Sequence, residues 1–113
     1  MSTAEQHDPQ LLRGLLPMLI LAALEERESY GYELVERLRA LGLGGLATGV
    51  VYPVLGRFER DGLLTSRLVP SPAGPARKYY AITARGRAAH ADAVARWHDI
   101  TDIAERGLAK ERS

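Results

Sequence analysis

The sequence contains no cysteine, one tryptophan, one phenylalanine and two methionines. Without cysteine there can be no disulfide, no thiolate zinc site and no cysteine nucleophile. The histidines are His7, His90 and His98, and no two of them stand two or four residues apart, the spacings metal sites use. His98 and Asp102 are four apart, but such a pair on a helix surface is ordinarily solvated. There is no glycine-rich phosphate cradle and no nucleophile–base signature. These absences read as a protein that is not an enzyme and carries no cofactor. Long apolar runs are also missing. The longest, "LLPMLILAAL" from Leu15 to Leu24, is too short to span a bilayer and contains Pro17. The residues before it carry Glu5 and Asp8, unlike the basic start of a signal peptide. The run reads as the core helix of a cytoplasmic protein.

What is present is a chain of 113 residues with 46% apolar content, enough for one globular domain with a modest core. A helical domain of this size commonly dimerises. The net charge of +1 argues by itself against nucleic acid, but the distribution argues differently. Residues 1–40 hold four basic and seven acidic side chains; residues 41–87 hold seven basic and two acidic; residues 88–113 hold four basic and five acidic. A cationic middle block between two acidic ones is what a local phosphate-binding surface needs.

Along the chain, residues 1–9 read as a mobile tail. Leu11, Leu15, Met18/Leu19 and Ala22 follow a helical spacing over about 10–27, with Pro17 implying a kink or a later start near Gly14. Ser29 is a suitable N-cap for a second helix, "YGYELVERLRAL". Its inner stripe is Leu34, Leu38 and Leu41; Glu33, Glu36 and Arg37 face water, and Gly42 ends it. Thr48 or a near neighbour caps a third helix, "GVVYPVLGRFERDG". There Val51, Leu55 and Phe58 share one face, and Val50, Pro53, Arg57 and Arg60 the other. "LLTSRLV", the loop "PSPAGPA" and "RKYYAI" read as a hairpin over 64–82. Thr83 then caps a last helix over 84–110.

The order helix, helix, helix, hairpin, helix is that of a winged helix-turn-helix. Helix three supplies Val50, Pro53 and Arg57 to a major groove, and Thr48, Gly49 and Tyr52 place its N-terminus against phosphate. Arg60 is more simply a surface ion pair. At the second helix's start, Ser29 and Tyr32 approach the backbone; one of Tyr30 and Tyr32 is structural, with Tyr32 the better DNA-side candidate. In "GPARKYYAIT", Arg77 and Lys78 begin the returning strand on opposite faces, and both reach phosphate. Tyr80 and Ile82 pack on the helices, whereas Tyr79 points away and supports a cation or donates to a phosphate.

Val94, Trp97, Thr101, Ala104 and Leu108 recur at alternating spacings of three and four, a coiled-coil seam that Ile100 and Ile103 widen. With Leu15 and Met18 of helix one they form a dimer or ligand surface. Trp97 reads as a dimer-core anchor, or as a platform that stacks a planar aromatic compound. Asp99 and Asp102 could attract a cationic one.

Taken in order, "LLRGLLPMLILAAL", "SYGYELVERL", "VYPVLGRFERDGLL" and "GPARKYYAIT" followed by "ARGRAA" resemble the PadR family of winged-helix transcriptional regulators. The resemblance covers roughly residues 10–105. It implies a homodimer on a palindromic double-stranded operator, usually a repressor, with a single C-terminal helix building the dimer. Some relatives bind flat aromatic ligands at the dimer centre. Ala47 and Val50 depart from the family's frequent serine and threonine, so the operator sequence does not carry over. The expectation is a mainly α fold with a β-hairpin wing: a DNA-binding domain at 10–83 and a dimerisation helix at 84–110. The expected function is a dimeric repressor released by a small aromatic ligand, with no metal. The alternative is a winged-helix module that binds protein without specific DNA binding.

Overall fold

A computed structural model describes residues 8–111, and their side chains as far as Ala109. Of the expected tail, residues 1–7 lie outside this range, while Asp8 and Pro9 open the first helix. Asp8 caps α1 (Pro9–Glu26): its carboxylate accepts from the Gln10 amide at 2.8 Å and the Leu11 amide at 3.4 Å. Pro9 takes the first position, where a missing N–H is harmless. The helix runs through Pro17 without the expected later start. Its core face is not the Leu11/Leu15/Met18 stripe. Leu16, Ile20, Leu21 and Leu24 are buried, whereas Leu11 is 68% exposed. Helix one is apolar on more than one side, and periodicity alone picked the wrong one.

The chain then makes a strand the sequence did not announce, β1 (Ser29–Tyr30), before α2 (Gly31–Leu41). Ser29 is therefore not a helix cap. It pairs in the sheet with Tyr80, is fully buried, and its hydroxyl accepts from Arg37 Nη1 at 2.6 Å. Arg37, expected in water, folds inward instead. Its Nη2 donates to the Ala23 carbonyl and pairs with Glu26, both at 2.8 Å. Arg37 is a second donor to the Ala23 carbonyl, which also accepts from the Arg27 amide at 3.3 Å, and so fastens α2 to the end of α1. In α2 the buried residues are Leu34, Val35 and Leu38, while Leu41 is 68% exposed. The helix stops at Gly42, whose φ of 139° suits glycine alone.

α3 (Thr48–Arg60) starts from Ala47 with no side-chain cap, so Thr48 is its first residue and not its cap. Val51, Leu55 and Phe58 are buried as expected, and Gly62 (φ 79°) closes the turn. The hairpin is β2 (Leu64–Ser71) and β3 (Gly74–Ile82), antiparallel, with β3 central in the order β1-β3-β2. The turn is only Pro72-Ala73, so Arg77 and Lys78 lie inside β3 and not at its start. Thr83 caps α4 (Ala84–Glu111): its Oγ1 accepts from the Gly86 amide at 3.0 Å and donates back to the Gly62 carbonyl at 2.7 Å. The core joins α1, α2 and α3 to Leu46, Leu64 and Tyr80. The architecture is a winged helix with one long following helix.

Candidate nucleic-acid interface

The outward face of α3 carries Val50, Tyr52, Pro53, Arg57 and Arg60, all exposed. The face follows from helical spacing, since Val51, Leu55 and Phe58 are taken by the core. Thr48 and Gly49 form the first turn. A Cβ on Gly49 would meet nothing within 4 Å, so that helix end is open to an anion. Tyr52 leans across to the start of α2. A Cβ on Gly31 would stand 2.5 Å from its ring, so the glycine is what lets the tyrosine lie there.

A notch of about 430 Å³ results, lined by Tyr30, Gly31, Tyr32, Tyr52, Arg77 and Lys78 among others. Tyr32 is exposed and Tyr30 half-buried in the sheet, which assigns the structural role to Tyr30. Arg77 spreads over the Tyr30 ring, 4.6 Å from its centroid. Tyr79, half-buried, meets Tyr30 edge to face at 5.3 Å and supports Arg67, not Arg77, at 5.6 Å. Arg67 itself pairs with Glu28 at 2.6 Å.

Lys78 points to the other face of β3. Its ammonium lies 3.3 Å from Glu59 Oε1 of α3 and 5.5 Å from the Tyr80 ring centroid. Ser66 of β2 donates to the other carboxylate oxygen of Glu59. That hydrogen bond, with the Lys78 charge, holds the Glu59 carboxyl below the usual carboxylate range despite some burial. Burial pushes the Tyr80 phenol up. Among the described residues, Arg57, Arg60 and Arg77 have no carboxylate partner, so the ion pair expected for Arg60 does not form.

Tyr32, Gly49, Val50, Tyr52, Pro53, Arg57 and Arg77 are thus exposed on α2, α3 and the hairpin, with Thr48 half-buried at the start of α3. Ser29 drops out because it is buried. Sequence reasoning passed over Gly31, Glu59 and Ser66. Gly31 had a signal, a glycine between two tyrosines; the other two had none, because their partners come from other elements.

A second feature lies between α1 and α4. A groove of about 500 Å³ is lined by Gly14, Leu15, Met18, Arg96, Trp97 and Ile100 among others. Trp97 is 40% exposed, and Ile100, Ile103 and Leu108 at least half exposed. Val94 and Thr101 are partly covered; the Thr101 hydroxyl donates to the Trp97 carbonyl at 2.7 Å, and Ala104 is exposed. The charged side chain on this lining is Arg96, with neither Asp99 nor Asp102 among the lining residues. Among the described residues no cluster of three or more His, Asp or Glu side chains could hold a metal. No helix there is long and apolar enough to cross a membrane.

Residues 20–92 match the transcriptional regulator PadR-like family. Three solved structures are similar over most of the chain. A PadR family transcriptional regulator from Eggerthella lenta is 35% identical, with a TM-score of 0.81, covering 88% of this chain and 86% of that one. A transcriptional regulator from Streptococcus is 34% identical, with a TM-score of 0.77, covering 87% and 96%. A PadR-like transcriptional regulator from Bacillus cereus is 33% identical, with a TM-score of 0.77, covering 88% and 96%. All three are transcriptional regulators, and the family match over 20–92 spans both α3 and the hairpin. The chain, a winged helix with an exposed cationic α3 face, is matched by the family model over 20–92 and belongs to the PadR-like family of transcriptional regulators.

Proposed function

We propose that the protein is a dimeric repressor that reads a palindromic duplex operator. Residues 10–83 form the reading head, and residues 84–110 join two copies. α3 enters the major groove with Val50, Pro53 and Arg57 towards base edges, Val50 offering an apolar contact to a thymine methyl. Thr48, Gly49, Tyr32 and Tyr52 face phosphate at the two helix starts, and Arg77 reaches the flanking backbone from the wing. The observation that carries this reading is that Arg57 on the outward face of α3 and Arg77 on the wing are both exposed and, among the described residues, stand without carboxylate partners, while the first turn of α3 is open.

The test is a titration of the chain's own upstream promoter DNA against a scrambled duplex, at two salt concentrations. The promoter binds more tightly, and binding weakens as salt rises. In an Arg57→Ala/Arg77→Ala variant both affinity and salt slope fall, the slope by about one for each phosphate no longer neutralised. Equal, feeble binding to both duplexes, unchanged in that variant, would instead favour a module that binds protein.

Release by ligand belongs to the same proposal. The α1/α4 groove offers Trp97 beside Leu15, Met18 and Ile100, a flat apolar seat for a planar aromatic compound. Occupancy there would change the spacing of two reading heads joined through α4. A compound that quenches Trp97 fluorescence should lower promoter affinity; quenching with no change in DNA binding would sink this part.

A further inference from the structure

The two adjacent cations of β3 are held in different ways. Arg77 lies on the outer face of the sheet, stacked on Tyr30 and with no carboxylate partner among the described residues. Lys78 lies on the inner face, paired with Glu59 of the recognition helix. We infer that Lys78 is not a phosphate ligand of the wing but one half of a strut, with Glu59, that fixes the hairpin's angle to α3 and so sets which sequences the head accepts. The inference rests on the DNA-reading function proposed above.

Glu59 sits in the last turn of α3 and holds both strands of the hairpin. Oε2 accepts from Ser66 of β2, and Oε1 meets the Lys78 ammonium of β3. Ser66 pairs in register with Tyr80, and Lys78 with Leu68. These rungs mark a boundary. Leu64 and Tyr80, at the hairpin's root, are buried in the core, whereas Leu68 is 70% exposed and residues 72–78 are all exposed. Among the described residues the strut is therefore the outermost hydrogen-bonded or ion-paired link between α3 and the hairpin. A two-stranded ribbon is only marginally ordered by itself. Where it points relative to α3 decides whether Arg77 meets phosphate while the α3 side chains meet bases. A partly exposed ion pair adds little to stability, so its effect lies in this geometry. A free lysine seeking phosphate has no use for a carboxylate fixed 3.3 Å away and held ionised by Ser66.

The experiment compares Glu59→Gln, Lys78→Met, the double variant, and the charge-swapped Glu59→Lys/Lys78→Glu. Glutamine keeps an acceptor for Ser66 and removes only the charge pair. Each is titrated with the promoter and scrambled duplexes across salt. Either single substitution should lower the promoter-over-scrambled preference about fivefold, within the coupling expected of contacting groups. The double variant should lose no more than either single one. Salt slope should stay unchanged, and the charge swap should recover most of the preference. The opposite pattern overturns the inference: Glu59→Gln tightening both duplexes with a steeper slope, and Lys78→Met lowering the slope by about one. Amide hydrogen exchange gives a readout without DNA. Protection in residues 66–79 should fall in both single variants, and unchanged protection would also overturn the strut. If the wild-type chain prefers no DNA, the proposed function fails, while the exchange data still decide whether the strut exists.

Discussion

The head formed by α1 to β3 and the far part of α4 handle their apolar side chains in opposite ways. All of the buried apolar core residues belong to the head, and none comes from α4. From residue 91 to 109 no residue is buried, and Trp97, Ile100, Ile103 and Leu108 stand open along the helix. The head finishes its own core; α4 carries an apolar seam that the described residues cover only in part. The contrast teaches that an apolar stripe marks where contact is wanted, not which molecule supplies it. A period of three and four residues reads the same in both regions.

The largest effect that would sharpen this contrast is in the head. Leu55→Ala empties a fully buried site and should cost about 2–5 kcal/mol, read as a lower urea midpoint by circular dichroism. Ile103→Ser, by contrast, should change the stability of dilute protein by less than about 0.5 kcal/mol. It should also remove the rise of Tm with protein concentration that a second copy on α4 would produce. A wild-type Tm that ignores concentration would break the comparison.

Next come two glycines at junctions. A Cβ at Gly86 would stand 2.2 Å from the Leu63 carbonyl oxygen, backbone that cannot step aside. Gly86→Ala should therefore lower stability by roughly 1–3 kcal/mol. At Gly31 the obstacle is the end of the Tyr52 ring, which is 43% exposed and can swing out. Gly31→Ala should cost less stability than Gly86→Ala yet weaken DNA binding, since it reshapes the notch. A variant equally impaired in both measurements would show that Tyr52 is core rather than surface.

Smaller again is the hinge where the two regions meet. Thr83→Ala removes the cap of α4 and its bond to the Gly62 carbonyl, and should cost about 1 kcal/mol in thermal unfolding. The smallest effect is in pH. Glu59 ionises below the usual carboxylate range in the folded protein, chiefly through Ser66 and also through Lys78. A depressed folded value means a stabilisation fully present above the ordinary carboxylate value and lost as pH falls through the folded one. The stability lead of wild type over Glu59→Gln should thus hold at neutral pH and shrink on acidification. A lead that does not change with pH would mean the carboxylate gains nothing on folding.

Much of the head was legible beforehand for local reasons. Thr83 caps a helix by reaching an amide three residues on, Gly42 and Gly62 take the positive φ that ends α2 and α3, and Val51, Leu55 and Phe58 fall on one side of a single helix. The exposed α3 face followed from the same spacing. What stayed hidden was every role set by a distant partner. Ser29 looked like a cap because serine often is one, yet β3 drew it into the sheet and Arg37 took its hydroxyl. Arg37 looked solvated because its own helix turns it outward, while the end of α1 offered it carbonyls. Tyr79 was expected to support some cation, and strand pairing decided which: Arg67 opposite it on β2, while Arg77 went to Tyr30 of β1.

By itself the sequence determined where α2 and α3 stop and α4 starts, the hairpin, the cationic middle block and the membership they add up to, because turns, periodicity and the Thr83 cap act within a few residues. Only the tertiary structure decided which apolar face of α1 is core, that β3 is the central strand, and which cations are spent on carboxylates. Those outcomes depend on groups far apart in sequence competing for the same carbonyls, rings and carboxylates. That competition is settled only when the elements pack.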